Sequence, residues 1–183
     1  MDLIDHIKKG EGKTLEFKEK FPSGEQIAKT IVTFSNTAGG KLIIGVNSNN
    51  EITGLNDDDR TGYQDRVSNI IHDVIHPATA PEIYSYNIDG KNILVVEVFP
   101  GPLKPYFIKN KGKFEGTYIR IGSTNKKADI EFIQELERQR KNISFDEEIT
   151  DDDDCKKINA ASLSKILNEK NVRDSKATPS AFS

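Results

Sequence analysis

The sequence is poor in several residue types and patterns that specialised folds require. It contains a single cysteine, Cys155, in 183 residues, which excludes an intrachain disulfide and a cysteine-rich zinc site. No run approaches the roughly 20 apolar residues of a membrane-spanning helix. The first residues, MDLIDHIKKGEG, lack the basic-then-apolar pattern of a secretory signal. We therefore expect a protein of a reducing, cytoplasmic environment with no membrane partner.

The motifs of common catalytic sites are also missing. There is no Gly-x-Ser-x-Gly motif, and one cysteine with three scattered histidines gives no nucleophile and base pair. The stretch 12–14 (Gly-Lys-Thr) resembles the end of a phosphate-binding loop, but Ile7 stands where that loop needs its first glycine. His72 and His76 lie one helical turn apart, as zinc ligands do, but any third ligand would have to come from elsewhere. We interpret them as an ordinary helix end.

Charge is nearly balanced overall but unevenly distributed along the chain. The 26 basic and 29 acidic residues give a net charge of −3 at pH 7, which argues weakly against nucleic-acid binding. Residues 145–183 contain nine acids and six bases, whereas residues 90–127 contain eight bases and two acids, a local excess of six positive charges. Such an excess can form a surface that faces anions, or it can belong to a solvated lysine-rich hairpin.

Hydrophobic periodicity predicts an α+β (mixed α/β) fold with a mixed β-sheet flanked by helices. Ser23 and Gln26 form the pattern of a capping box, and Gly39-Gly40 is typical of a helix end. Asp89-Gly90 predicts a tight hairpin. Helices are predicted around residues 3–7, 23–38, 67–75 and 130–137, and strands at 14–18, 41–46, 51–55, 83–88, 92–99, 106–108 and 114–121. The strand 106–108 is expected to pair with 114–121, and 41–46 is expected to be central and covered on both faces.

The composition changes after about Asn142. We predict one domain over residues 1–142. Residues 143–183 are expected to form an acidic linker, a short helix at 161–170 and a disordered end that leads into a further region.

Two sets of side chains are candidate functional residues. Glu11 and Glu16, five residues apart across a turn into a strand, can converge on one divalent cation. Alternatively, Glu16 pairs with Lys18 on a solvated face. Tyr118 and Arg120 share one strand face before a Gly-Ser-Thr turn, and arginine with free backbone amides can hold a phosphate. The alternative for Arg120 is a structural ion pair.

Three stretches, in their order and spacing, resemble the Schlafen AlbA-like domain family, also described as a DNA-binding domain of bacterial transcriptional regulators. They are EGKTLEFK at 11–18, IVTFSNTAGGKLIIGV at 31–46 followed by ITG at 52–54, and PY at 105–106 with YIRIGS at 118–123. The resemblance covers roughly residues 8–140. It implies a mixed sheet flanked by helices and a role connected with nucleic acid.

This resemblance favours a non-catalytic nucleic-acid-binding domain of a transcriptional regulator, without a cofactor. The expected contacts are with the DNA or RNA backbone, and Tyr106 or Tyr118 is available to stack on a base. The candidate binding residues are Lys18, Lys104, Lys109, Lys111, Lys113, Tyr118, Arg120, Ser123, Lys126 and Lys127.

Two alternatives belong to other functional classes. Vertebrate Schlafen relatives include RNA-cleaving enzymes that use two glutamates and an aspartate. Glu11 and Glu16 match the two glutamates, but Ser48 stands where the aspartate is expected. A magnesium- or manganese-dependent endoribonuclease with Glu11 and Glu16 as ligands is therefore the first alternative. The second is a protein–protein assembly module, for which a homo-oligomer would be the natural form.

Overall fold

A four-stranded mixed sheet lies at the centre of the structure, a computed structural model that describes residues 3–55 and 60–148. The strands are β1 (Leu15–Lys18), β2 (Gly40–Ile44), β3 (Ile75–His76), β4 (Glu82–Ile88), β5 (Lys91–Val98), β6 (Phe107–Ile108), β7 (Tyr118–Ile121) and β8 (Thr124–Lys127). The helices are α1 (Leu3–Lys9), α2 (Gly24–Asn36), α3 (Arg60–Val74), α4 (Gly112–Gly116) and α5 (Ile130–Glu148), with one 3₁₀ turn at Lys109–Lys111. The strand order of the large sheet is β1-β2-β5-β4, and β1 and β2 are parallel while the other neighbours are antiparallel. This architecture confirms the predicted fold class.

Helix α2 connects the two parallel strands, and its local signals behave as the sequence predicts. The hydroxyl of Ser23 accepts a hydrogen bond from the amide of Gln26 at 3.3 Å, while the Gln26 side chain accepts one from the amide of Ser23 at 3.1 Å. The helix ends at the double glycine, where the amide of Gly39 donates to the carbonyl oxygen of Phe34 at 3.0 Å. A side chain at Gly39 would also collide with its surroundings. A Cβ atom on Gly39 would lie 2.7 Å from the carbonyl oxygen of Val98, and Gly39 has a φ of +76°.

The central sheet separates two hydrophobic cores. Ile43 and Ile44 are adjacent in β2, point to opposite faces and are both fully buried. Ile44 packs in a core with α2 and α3, whereas Ile43 packs in a second core with Ile7 of α1. Strand β2 is therefore central and covered on both faces, as predicted.

The predicted pairing of 106–108 with 114–121 is wrong. Strand β6 pairs with β3 instead, and β7 pairs with β8 across the turn at Gly122 and Ser123. The intervening residues form the 3₁₀ turn and α4, which bring Gly116 against the backbone of β6. A Cβ atom on Gly116 would lie 2.6 Å from the carbonyl oxygen of Ile108. The predicted strand at 51–55 consists only of two isolated bridges, formed by Ile52 and Leu55.

Other predicted segments fall at or beyond the end of the described residues. Helix α5 continues to Glu148, into the first residues of the predicted acidic linker. The helix predicted at 161–170 and the end beyond it lie outside the described residues. Within the part of the chain that the structure describes, no helix is both long and apolar enough to cross a membrane.

Candidate nucleic-acid interface

Arg120, one of the predicted phosphate-binding residues, lies at the centre of a buried network. Its side chain is 0% exposed, and its Nη1 atom donates to the carboxylate of Glu16. Its Nη2 atom donates to the carbonyl oxygens of Gly12 at 2.9 Å and Leu15 at 3.1 Å, and Nη1 also donates to Asn125 at 2.6 Å. A phosphate could reach the guanidinium only by breaking these bonds. The predicted phosphate contact is therefore corrected to the structural ion pair that was its alternative.

The two glutamates predicted as metal ligands already have partners within the protein. Besides Arg120, the carboxylate of Glu16 accepts a hydrogen bond from the ammonium of Lys18 at 2.8 Å. The carboxylate of Glu11 accepts the backbone amide of Phe17 at 2.8 Å. Two cations on Glu16 offset its attraction for a metal ion. Among the described residues, no group of three or more histidine, cysteine, aspartate or glutamate side chains is placed to hold a metal. These residues do not fit a divalent-cation site, and the geometry gives the endoribonuclease hypothesis no support.

Asn36, which the sequence did not single out as a site residue, links the last turn of α2 to two distant segments. The residue is 2% exposed, and its side-chain amide nitrogen donates to the carbonyl oxygens of Tyr106 at 2.8 Å and Tyr118 at 3.0 Å. Its oxygen accepts the backbone amide of Tyr106 at 2.7 Å. Tyr106 and Tyr118 are 2% and 9% exposed. Neither ring is open for stacking on a base, which corrects that expectation.

Three lysines from three different elements surround Tyr118. The ammonium of Lys29 in α2 lies 4.8 Å from the ring centre, and that of Lys111 lies 3.4 Å from the phenolic oxygen. Lys127 of β8 is the register partner of Tyr118, and directly opposed residues of an antiparallel pair share one face of the sheet. We call Tyr118, Lys29, Lys111 and Lys127 the Tyr118 cluster. Sequence reasoning missed Lys29 because it lies outside the basic stretch at 90–127.

Two exposed glutamates partly neutralise the Tyr118 cluster. Glu25 pairs with Lys111, and Glu115 pairs with Lys127 at 2.5 Å. The hydrogen bond from Lys111 lowers the pKa of Glu25, and the hydrogen bonds of Lys111 to Glu25 and to the Tyr118 hydroxyl raise the pKa of Lys111. The glutamate side chains are 64% and 67% exposed. Ion pairs this exposed contribute little to stability, so another anion can replace the glutamates at small cost.

The remaining predicted binding residues do not join this cluster as one surface. Lys113 pairs with Glu137 at 2.6 Å, and Lys109 donates to the carbonyl oxygen of His72 at 2.7 Å. Lys104 is half-buried, and its burial lowers its pKa. Lys126 and Ser123 are exposed on the hairpin of β7 and β8. Of the ten predicted residues, the structure brings together Lys111, Tyr118 and Lys127. Lys126 is the register partner of Ile119, so its side chain points to the opposite face of the hairpin.

A family model described as Schlafen, AlbA_2 matches residues 11–129, about two thirds of the chain. The chain belongs to the Schlafen AlbA_2 family. The matched AlbA_2 region contains Glu16, Asn36 and Arg120 as well as the whole Tyr118 cluster. No curated protein matches the chain.

The solved structures that resemble this AlbA_2 domain include the following two. The N-terminal domain of a protein from Nitrosomonas europaea, described as related to the ATP-dependent DNA helicase RecG, is 26% identical, with a TM-score of 0.51 over 70% of this chain and 92% of that one. The DIP2311 protein from Corynebacterium diphtheriae is 18% identical, with a TM-score of 0.51 over 69% of this chain. The match covers only 24% of the Corynebacterium protein, and the likeness is one of fold.

Proposed function

We propose that this AlbA_2 domain binds nucleic acid without cleaving it, by contacting backbone phosphates with the Tyr118 cluster. The main support is that Lys29 and Lys111 both lie against Tyr118 and that Lys127 is its register partner, while Glu25 and Glu115, the counter-ions of Lys111 and Lys127, are exposed acids. A phosphate that approaches this face can displace the glutamate carboxylates and take over their hydrogen bonds from lysine. Exchange of one anion for another needs no rearrangement of the fold.

This mode of binding predicts weak sequence preference. Lysine contacts to phosphate fix the position of the backbone and do not read base edges. The buried Tyr118 and Tyr106 rings offer no stacking platform. The family and the similar domain of a RecG-related protein support an association with nucleic acid. We further propose that the domain serves in a transcriptional regulator, the setting that the family resemblance suggests.

The first test is the salt dependence of binding to labelled duplex DNA, single-stranded DNA and a structured RNA, measured by fluorescence anisotropy. Each phosphate neutralised contributes a slope of about −0.9 for duplex and about −0.7 for single strands in a plot of log affinity against log salt. The three lysines of the cluster therefore predict a slope of about −2 to −3. An affinity that does not change with salt would overturn the proposal. The anisotropy should stay constant after manganese is added, and a fall that requires manganese would indicate cleavage instead.

Paired substitutions then locate the interface. The double variant Lys111→Gln with Lys127→Gln should bind nucleic acid more weakly. Its slope of log affinity against log salt should correspond to about two fewer neutralised phosphates. The double variant Lys8→Gln with Lys9→Gln removes the same number of positive charges from α1, which packs on the opposite face of the sheet, and serves as the control. Equal losses in both proteins would show that only net charge matters.

A substitution that is expected to strengthen binding separates the role of this face from loss of folding, because a misfolded variant would bind more weakly. Glu25→Gln frees Lys111 from its carboxylate partner, so affinity for nucleic acid should rise severalfold. The control is Glu131→Gln, which removes one exposed negative charge from the first turn of α5. An unchanged or reduced affinity of the Glu25 variant would contradict the assignment of this face.

A further inference from the structure

Strand β4 forms an open edge of the central sheet. Among the described residues its ladder partner is β5 alone, and its other side faces no strand. The seven residues, EIYSYNI, are mostly β-branched, aromatic or small, and Glu82 at the beginning is the one charged residue. Natural edge strands usually carry lysine, proline or a bulge that prevents pairing with another chain. Residues 82–88 contain no lysine or proline, so this edge lacks the residues that usually prevent a further strand from pairing.

The adjoining turn determines which backbone groups of β4 face outward. Asp89 and Gly90 form a two-residue loop with φ values of 50° and 78°, and Ile88 pairs with Lys91. The residues that flank such a loop exchange both backbone hydrogen bonds, and the bonding alternates along the strand. Tyr84, Tyr86 and Ile88 therefore bond to β5. The amide and carbonyl groups of Ile83, Ser85 and Asn87 point away from it, toward the open edge.

We propose that a second copy of this chain pairs antiparallel with β4 and makes one continuous sheet across two molecules. The register centred on Ser85 pairs all seven residues and aligns the outward-facing groups with each other, giving up to about six hydrogen bonds. It places Tyr84 opposite Tyr86 of the second copy, and the two-fold axis repeats that contact. Glu82 faces Ile88 of the second copy, so no two like charges are directly opposed.

Side-chain exposure favours a second copy as the occupant. Tyr86 is 47% exposed, and its ring centre lies 6.3 Å from that of Tyr84 on the same face. Tyr84 is held in place by its hydroxyl, which donates to Glu97 at 3.0 Å. Self-pairing would cover Tyr86 with an aromatic ring that is already fixed, and aromatic cross-strand pairs are among the stabilising ones. Because the edge is only seven residues long, we expect monomer and dimer to exchange.

Light scattering of the full chain over a concentration series tests the proposal. The mass should rise with concentration from 20.5 kDa toward twice that value. Ser85→Pro removes an outward amide and no backbone bond to β5, so it should shift the dimer to higher concentrations. Like the other Ser85 variants, it also loses the hydroxyl that accepts a hydrogen bond from Gln64 of α3 at 3.3 Å. Ser85→Lys and Ser85→Glu should each shift the dimer in the same direction, whereas a mixture of these two variants should restore the dimer. Ser68→Lys on α3 is the control and should dimerise like the unaltered chain.

Amide hydrogen exchange identifies the strand edge directly. Protection of Ile83, Ser85 and Asn87 should increase with protein concentration, while Tyr84 and Tyr86 should be protected at every concentration. A monomer at all concentrations overturns the proposal, and so does a dimer that the Ser85 variants leave unchanged. Protection of all five amides independent of concentration would show that a segment of the same chain covers the edge, which also overturns it.

Discussion

At the scale of single residues, the charges that looked most suited to catalysis are used to hold the fold together. Glu16 is 8% exposed, and a buried carboxylate is stable only when cations or hydrogen-bond donors surround it. Arg120 and Lys18 supply both. Arg120 in turn bonds two backbone carbonyl groups and Asn125. Each partner therefore depends on the other, and a change to one leaves a buried charge without compensation.

Replacing Glu16 should accordingly reduce stability strongly. Glu16→Ala leaves the Arg120 guanidinium buried without its counter-charge, and we expect the free energy of unfolding to fall by about 3–5 kcal/mol. Glu11→Ala removes one hydrogen bond to an exposed carboxylate and should cost about 1 kcal/mol. Urea denaturation followed by circular dichroism measures both. Similar losses in the two variants would argue against the structural assignment of Glu16.

At the scale of elements, signals confined to a few neighbouring residues predicted the structure well. The capping box at Ser23, the double glycine after α2 and the Asp89-Gly90 hairpin all lie where the sequence placed them. The capping box and the hairpin turn depend on hydrogen bonds within about four residues, and Gly39 closes α2 by donating its amide to the carbonyl oxygen of Phe34. The prediction of a strand pair around residues 109–116 was wrong because the structure there is not determined locally. The close packing of Gly116 on Ile108 depends on how distant strands pair.

The candidate site was predicted only in part for a related reason. The lysines were visible in the sequence, but their partners were not, since Lys111 pairs with Glu25 across 86 positions. Asn36 bonds to Tyr118 across 82 positions. A count of charges along the chain cannot show which ones meet in space. For the same reason, Lys29 could not be assigned to the site from the sequence. It lies on a helix far from the basic stretch, and only the structure shows α2 next to β7.

A polar cluster across three strands makes stability depend on pH. Lys41 of β2 donates to Glu97 of β5, and Tyr84 of β4 donates to the same carboxylate. The hydrogen bond from Lys41 lowers the pKa of Glu97 below its ordinary 4.5, although burial opposes this. Burial acts against the charge of Lys41, but its hydrogen bonds to Glu97 and Tyr84 outweigh burial and raise its pKa above 10.5.

The lowered pKa of Glu97 determines how acid changes the stability of the fold. Glu97 stabilises the fold above its unfolded pKa, and this contribution is lost as the pH falls through its folded pKa. Lys41 contributes fully below 10.5 and loses its contribution as the pH rises through its higher folded pKa. Glu97→Gln should therefore show a smaller loss of stability between about pH 5 and about pH 3 than the unaltered chain. Urea midpoints across that range test this, with Glu131→Gln as the control. An unchanged acid slope would contradict the role of the cluster.

At the scale of the whole molecule, the central sheet contributes to two of the three hydrophobic clusters found in the described residues. Ile43 and Ile44 are neighbours in β2, yet each belongs to a different core. Loosening either core therefore disturbs the strand that the other core needs. We infer that the two cores unfold together.

Substitution of these two neighbours tests that coupling. Ile43→Ala and Ile44→Ala each remove a fully buried side chain, and each should lower the free energy of unfolding by about 2–5 kcal/mol. In both variants, tyrosine fluorescence and far-ultraviolet circular dichroism should report one shared transition. Two separate midpoints in either variant would show that the cores unfold independently.

The separation of Glu16 and Arg120 along the chain has a consequence for synthesis on the ribosome. The two residues are 104 positions apart. At about 5–20 residues per second, the ribosome takes roughly 5–20 s to add Arg120 after Glu16. During that interval β1 has been synthesised but Arg120 has not. The carboxylate of Glu16 therefore lacks its guanidinium partner, and we expect it to stay hydrated. We therefore expect β1 to complete its buried contacts only after β7 has been translated, so that the order of synthesis differs from the order in which the sheet is completed.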